Sequence, residues 1–205
     1  MFQRTLLSLT LLGLAVSAAA PSTASAEPTI TESPAAPRTR VNLETDPFDF
    51  FLGGYGLVVG VRPSALPHWR LSVATFALDL PSFLVEIDDA NKGFSLRIDH
   101  GFGATGSYHF SEASGGFYVG PAIGYFINEY SRDDLPGMVT TVHSFNVGAQ
   151  GGYQWFPLKQ RGFYLQPWMN ASVPLYTSRD PKVGDREFHS PPVNVNLLLH
   201  VGYEL

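Results

Sequence analysis

Chemistry in this chain would have to come from a small set of side chains, and the first is the pair His143-Ser144, followed by Asn146. A serine hydroxyl becomes a nucleophile when a base lies within hydrogen-bond reach. Consecutive side chains of a strand point to opposite faces, however, so this pair also reads as an interface histidine beside an inward-facing serine. The second set is defined by its phase. Arg70, Arg97, Asp99, His109, Gln150, His200 and Glu204 all fall on the polar side of alternating stretches. Charges taken out of water must pair and hydrogen-bond or cost several kcal/mol, so these residues are expected to form an ion-pair and hydrogen-bond network. The sharper alternative is an acid/base site using His200, Glu204 or Asp99.

The elements that must hold these groups are strands. Residues 193–205 (VNVNLLLHVGYEL) give Val193, Val195, Leu197, Leu199, Val201, Tyr203 and Leu205 on one face. Asn194, Asn196, Leu198, His200, Gly202 and Glu204 lie on the other. That is the period-2 signature of a strand with one greasy and one polar face. Earlier stretches repeat it at 41–46, 55–61, 69–87, 94–110, 117–128, 144–155 and 163–175, making eight. The third is irregular past Pro81, and His100 interrupts the fourth as a bulge would. Between the strands, 62–68, 111–116 and 157–161 are short turns, whereas 178–192 is the longest loop.

Composition removes several classes. The absence of cysteine excludes disulfides, thiolate metal sites and cysteine nucleophiles. A net charge of −5 leaves no basic footprint for nucleic acid. Mean hydropathy of +0.02 looks soluble, but a barrel alternates and averages out. No cofactor motif and no regular metal-ligand spacing appears; Asp88, Asp89, Asp133 and Asp134 read as solvated loop tips. At the start, Arg4, the apolar run LLSLTLLGLAV at 6–16 and Ala24-Ser25-Ala26 predict a cleaved signal peptide over 1–26. Residues 27–40, rich in Pro, Thr, Ser and Ala, read as a disordered periplasmic lead-in, and 41–205 as one domain.

An even number of strands, alternating loop lengths, and aromatics beside the short turns point to a closed membrane barrel. The girdle residues are Trp69, Phe110, Phe117, Trp155, Phe163 and Tyr203. The expected fold class is all-β: an eight-stranded antiparallel up-and-down transmembrane β-barrel. With its signal segment, paired strands, girdle positions and HVGYEL ending, the chain resembles the small bacterial outer-membrane barrels of the OmpA, OmpX and OmpW kind. Leu205 stands where that family usually ends in Phe or Trp.

The resemblance implies export to the outer membrane, contact with outer-membrane lipids and lipopolysaccharide, insertion by the barrel assembly machinery, and a monomer. His143 and Ser144 are similar to the His/Ser pairs of outer-membrane lipid A deacylases, although that motif has a residue between them. The function expected is therefore structural or adhesive, acting through the loops, with Arg179, Asp180, Lys182, Asp185, Arg186, Glu187 and His189 as the best external surface. The alternatives are a lipid A-modifying enzyme and a narrow, porin-like channel. Eight strands leave an interior just filled by side chains, which argues against a general pore.

Overall fold

The structure is a computed structural model that describes residues 38–111, 115–158 and 162–205. The expected signal peptide, and the lead-in up to residue 37, lie outside the described residues. The chain runs through β1 (Arg40–Thr45), α1 (Pro47–Phe51), β2 (Tyr55–Arg62), β3 (Trp69–Asp79), α2 (Ser82–Val85) and a 3-10 turn at Asp89–Asn91. It continues with β4 (Phe94–His109), β5 (Gly116–Arg132), β6 (Val139–Gln154), β7 (Phe163–Thr177), β8 (Lys182–Val183), β9 (Arg186–Glu187) and β10 (Asn194–Glu204).

Each long strand pairs antiparallel with its sequence neighbour, and β10 returns to β1, closing an eight-stranded barrel. The seam runs from Asn42 opposite Glu204 to Thr45 opposite Val201. Leu205 extends it by donating its N–H to the Val41 carbonyl at 2.9 Å.

Alternation sorts the side chains inside out. Leu57, Leu71, Val73, Ile123, Met169 and Leu197 face outward and are exposed, while Asn42, Glu44, Arg70, Ser107, Gln154 and Gln166 are buried inside. An apolar belt of this extent is solvated by lipid, and this is a membrane-spanning β-barrel. Among the described residues no helix is long and apolar enough to cross a membrane; the strands cross instead.

The barrel is lopsided. β4, β5 and β6 have 16 or 17 residues each, whereas β1 has six and β2 eight. At the end away from the short turns, the long strands rise past the rest and carry a core of Val85, Phe94, Tyr130, Val142, Val183 and Phe188. Phe188 meets Phe94 at 5.5 Å and Tyr130 at 5.0 Å between ring centroids.

Four sequence-level expectations change. The first stretch ends at Thr45, because Pro47 cannot donate to a ladder but suits the first turn of a helix. Asp46 becomes the N-cap of α1, accepting the Phe48 N–H at 2.8 Å. The third stretch stops at Asp79 instead of reaching Ile87; beyond Pro81 the chain forms α2. The loop at 178–192 contains the β8–β9 hairpin, turned at Gly184 with φ +63°, a conformation glycine adopts without strain.

The fourth change concerns phase. The register of β4 against β5 slips between Ile98 and His100, so a bulge stands where the sequence suggested one. Its extra residue, Asp99, reverses the faces of the segment before it. Phe94 and Leu96 turn inward to the upper core, and the side chains of Arg97 and Asp99 are 50% and 38% exposed.

Candidate functional site

The interior is organised around a residue outside the expected network. Glu44, on the polar face of β1, is buried, and its carboxylate gathers four partners. Arg70 Nη1 donates to Oε1 at 2.6 Å, and the Tyr164 hydroxyl donates to the same oxygen at 2.7 Å. Gln166 Nε2 reaches Oε2 at 3.3 Å, and His200 Nδ1 lies 2.8 Å from it. Arg70 Nη1 also donates to Gln166 Oε1 at 3.0 Å, so β1, β3, β7 and β10 are cross-linked through one carboxylate.

Backbone register makes this convergence possible. Gly202 on β10 pairs with Tyr164 on β7, and a Cβ at Gly202 would collide with the Tyr164 ring. The missing side chain lets the phenol lie across the lumen to Glu44.

A second layer crosses nearer the short turns. Arg62 Nη2 on β2 reaches Gln154 Oε1 on β6 at 3.5 Å. Asn42 Nδ2 donates to Glu204 at 3.4 Å, with Arg40 at 3.6 Å from the same carboxylate. His109 stacks on Tyr118 with centroids 5.1 Å apart, and the Arg70 guanidinium lies over that tyrosine ring at 5.5 Å. Gln150 Nε2 donates to Ser107 Oγ at 2.9 Å. These side chains are deeply buried: Arg62 and Arg70 are each 2% exposed, and Gln154 is 0%. A lumen filled across by side chains this deeply buried is a packed interior at that level.

Of the seven residues expected in the network, five are interior: Arg70, His109, Gln150, His200 and Glu204. Arg97 and Asp99 are not, because the bulge sets them on the other face; Arg97 Nε instead lies 3.7 Å from Asp79. Glu44, Arg62, Gln154, Tyr164 and Gln166 belong to the network without having been expected in it. Their signal was parity alone, since each stands opposite the apolar series of its strand.

His143 and Ser144 are parted by the wall. Ser144 is buried inside and accepts from Asn128 Nδ2 at 3.3 Å. His143 faces out, with Nδ1 2.8 Å from the Tyr125 hydroxyl. Ser178 Oγ approaches the His143 backbone N–H at 3.0 Å, not its ring. No nucleophile–base couple forms from this pair. His200 and Glu204 are held by the interior partners given above.

The six girdle residues, Trp69, Phe110, Phe117, Trp155, Phe163 and Tyr203, are all exposed, and each lies at or beside a strand end at the short-turn end of the barrel. Phe163 pairs with Tyr203, and Trp69 with Tyr108.

At the opposite rim the loops are locked together. Asn91 Nδ2 donates to the His189 carbonyl at 3.0 Å, and the His189 N–H returns to Asn91 Oδ1 at 2.7 Å. Around them lies an open cleft of mixed charge, lined by Asp89, Lys92, Arg132, Asp185, Arg186, Glu187 and His189. Arg132 grips Asp134 through two bonds of 2.7 and 3.0 Å, and the hydrogen bond lowers that carboxyl's pKa. Lys182, 3.3 Å from Glu187 and 3.5 Å from Asp180, is shifted up, chiefly by its hydrogen bond to Glu187. Asp89 is lowered by Lys92 at 2.8 Å.

No protein-family model matches the chain, and no curated protein matches it. Solved structures that resemble it include Neisserial surface protein A, at 15% identity, covering 82% of this chain and 93% of that one with a TM-score of 0.44. A major outer membrane protein from Thermus thermophilus shares 12% identity over 82% of this chain and 99% of its own, with a TM-score of 0.49. Ail, the attachment invasion locus protein of Yersinia pestis, shares 13% over 82% and 95%, with a TM-score of 0.39.

Proposed function

We propose that this protein is an exported, monomeric outer-membrane barrel that acts as a scaffold, presenting a pre-packed extracellular cap to external partners. The observation that carries this reading is the contrast between an interior filled with buried side chains and a rim rich in unburied charge. Loops on a rigid barrel are the natural place for recognition. On this reading the outward belt contacts membrane lipid and lipopolysaccharide, the assembly machinery inserts the chain, and residues 1–26 are removed on export.

Expression in an outer-membrane host, with adhesion of the cells to protein- and glycan-coated surfaces, tests the proposal. Adhesion that falls when the 178–192 loop is replaced by a short turn, while the barrel still shows heat-modifiable electrophoretic mobility, supports it. Steady ionic conductance of the refolded protein in planar bilayers, or a changed acyl pattern of lipid A in the host, would replace it with the channel or the enzyme.

A further inference from the structure

The short side of the barrel has an incomplete wall. Beyond the pair Thr45–Val201, β10 continues from Asn194 to His200 with no strand of the described residues beside it on the β1 side. The β1–β2 ladder likewise ends at Glu44–Val58, leaving Tyr55–Leu57 of β2 unpaired on that side. α1 occupies the gap, in contact with β10, β2 and β3.

Its polarity is that of a wall. Asp46 and Asp49 point inward and are buried, while Phe48, Phe50 and Phe51 point outward, with Phe51 85% exposed. Its backbone closes on itself. Leu52 N donates to the Phe48 carbonyl at 3.0 Å, Gly54 N to Asp49 at 2.8 Å, and Asp79 N to Leu52 at 2.9 Å. A backbone satisfied in this way tolerates hydrocarbon, which an open sheet edge does not. Just past β3, α2 lies against β4, with Val85 in the upper core and Phe83 and Leu84 exposed on its other side.

Strand lengths set the height of this patch. The outward row Phe117–Ile127 on β5 spans ten rises, about 33 Å along the strand and about 25 Å along the membrane normal at a tilt of ~40°. That matches the ~25 Å apolar band of such barrels. The row Tyr55–Val61 on β2 spans six rises, about 15 Å along the normal by the same geometry. The short side therefore lacks about 10 Å of apolar wall, and α1, about 7.5 Å long, stands in that interval.

We infer that α1 and α2 form a lipid-inserted helical patch, with Phe48, Phe50, Phe51, Phe83 and Leu84 packed among acyl chains of the outer leaflet. Continuity with the strand belt at Tyr55 and Leu57, and the absence of charge from PFDFF and SFLV apart from the inward Asp49, favour acyl chains over water or a protein partner. The inference rests on the barrel being membrane-embedded.

The chain has no cysteine, so single labels can be placed cleanly. Nitroxide-labelled Phe51→Cys, Phe83→Cys, Leu71→Cys and Asp180→Cys would be compared in full-length protein refolded into phospholipid vesicles, each checked for heat-modifiable mobility. The expected result is an oxygen-over-nickel-chelate collision ratio at 51 and 83 equal to that at 71 and several-fold above that at 180. An Asp180-like ratio at either helix overturns the inference, and a Leu71 label that is itself aqueous overturns the membrane reading beneath it.

Discussion

The two sides of the barrel solve the same boundary problem differently. On the long side β4, β5 and β6 outgrow the membrane, and their surplus inward face becomes the core of a cap. On the short side β1 and β2 fall short, and α1 with its outward aromatics stands in the gap. One side thus encloses apolar residues in protein, and the other leaves them exposed. Strand length, more than loop composition, therefore decides which loops become a water-facing platform and which remain at lipid height.

The largest effect should come from the residue that ties both sides together. Glu44→Ala leaves Arg70 buried without its carboxylate, and removing one partner of a buried pair costs about 3–5 kcal/mol. Urea unfolding in detergent or vesicles should show a loss of that order. If Glu44→Ala unfolds like the wild type, the interior network contributes little to the fold.

Deleting Asp99 would remove the bulge and strip the long side of its advantage. Phe94 and Leu96 would rotate out of the cap, the buried Phe94 losing about 1.5–3 kcal/mol and the half-buried Leu96 less. The cap should become protease-sensitive while the belt keeps its heat-modifiable mobility. Phe188→Ala removes one ring from the cap and should cost about 3 kcal/mol of local stability. Faster cleavage within 178–192, with unchanged global unfolding, is the outcome that separates cap from barrel.

The smallest effect is electrostatic. The carboxyl of Asp134 is held below its ordinary value of 3.8 by Arg132, so its contribution is full above that value and is lost as the pH falls below it. Asp134 is 62% exposed, so Asp134→Asn should alter loop hydrogen exchange near neutral pH only slightly, and not at all once the carboxyl is protonated.

Much of this was legible in the chain. The eight strands, the short turns and the bulge near His100 follow from alternation and its breaks, because side-chain direction in a strand is a local property. The helices at 47–51 and 82–85 leave no such trace. They are four or five residues long, too short to show a period, and their aromatic content suits a strand equally well.

The polar interior shows where local reading stops. Alternation along each strand settles which residues face inward up to a bulge, hence the inwardness of Arg70, His109, Gln150, His200 and Glu204. It takes the closed ring to make Glu44 the hub and to bring Arg62 to Gln154 across the lumen, and the bulge at Asp99 to set Arg97 and Asp99 outside it. Parity is fixed by the backbone of one strand. Partnership depends on the stagger of eight strands around that ring, and a single extra residue reverses the phase of all that precedes it.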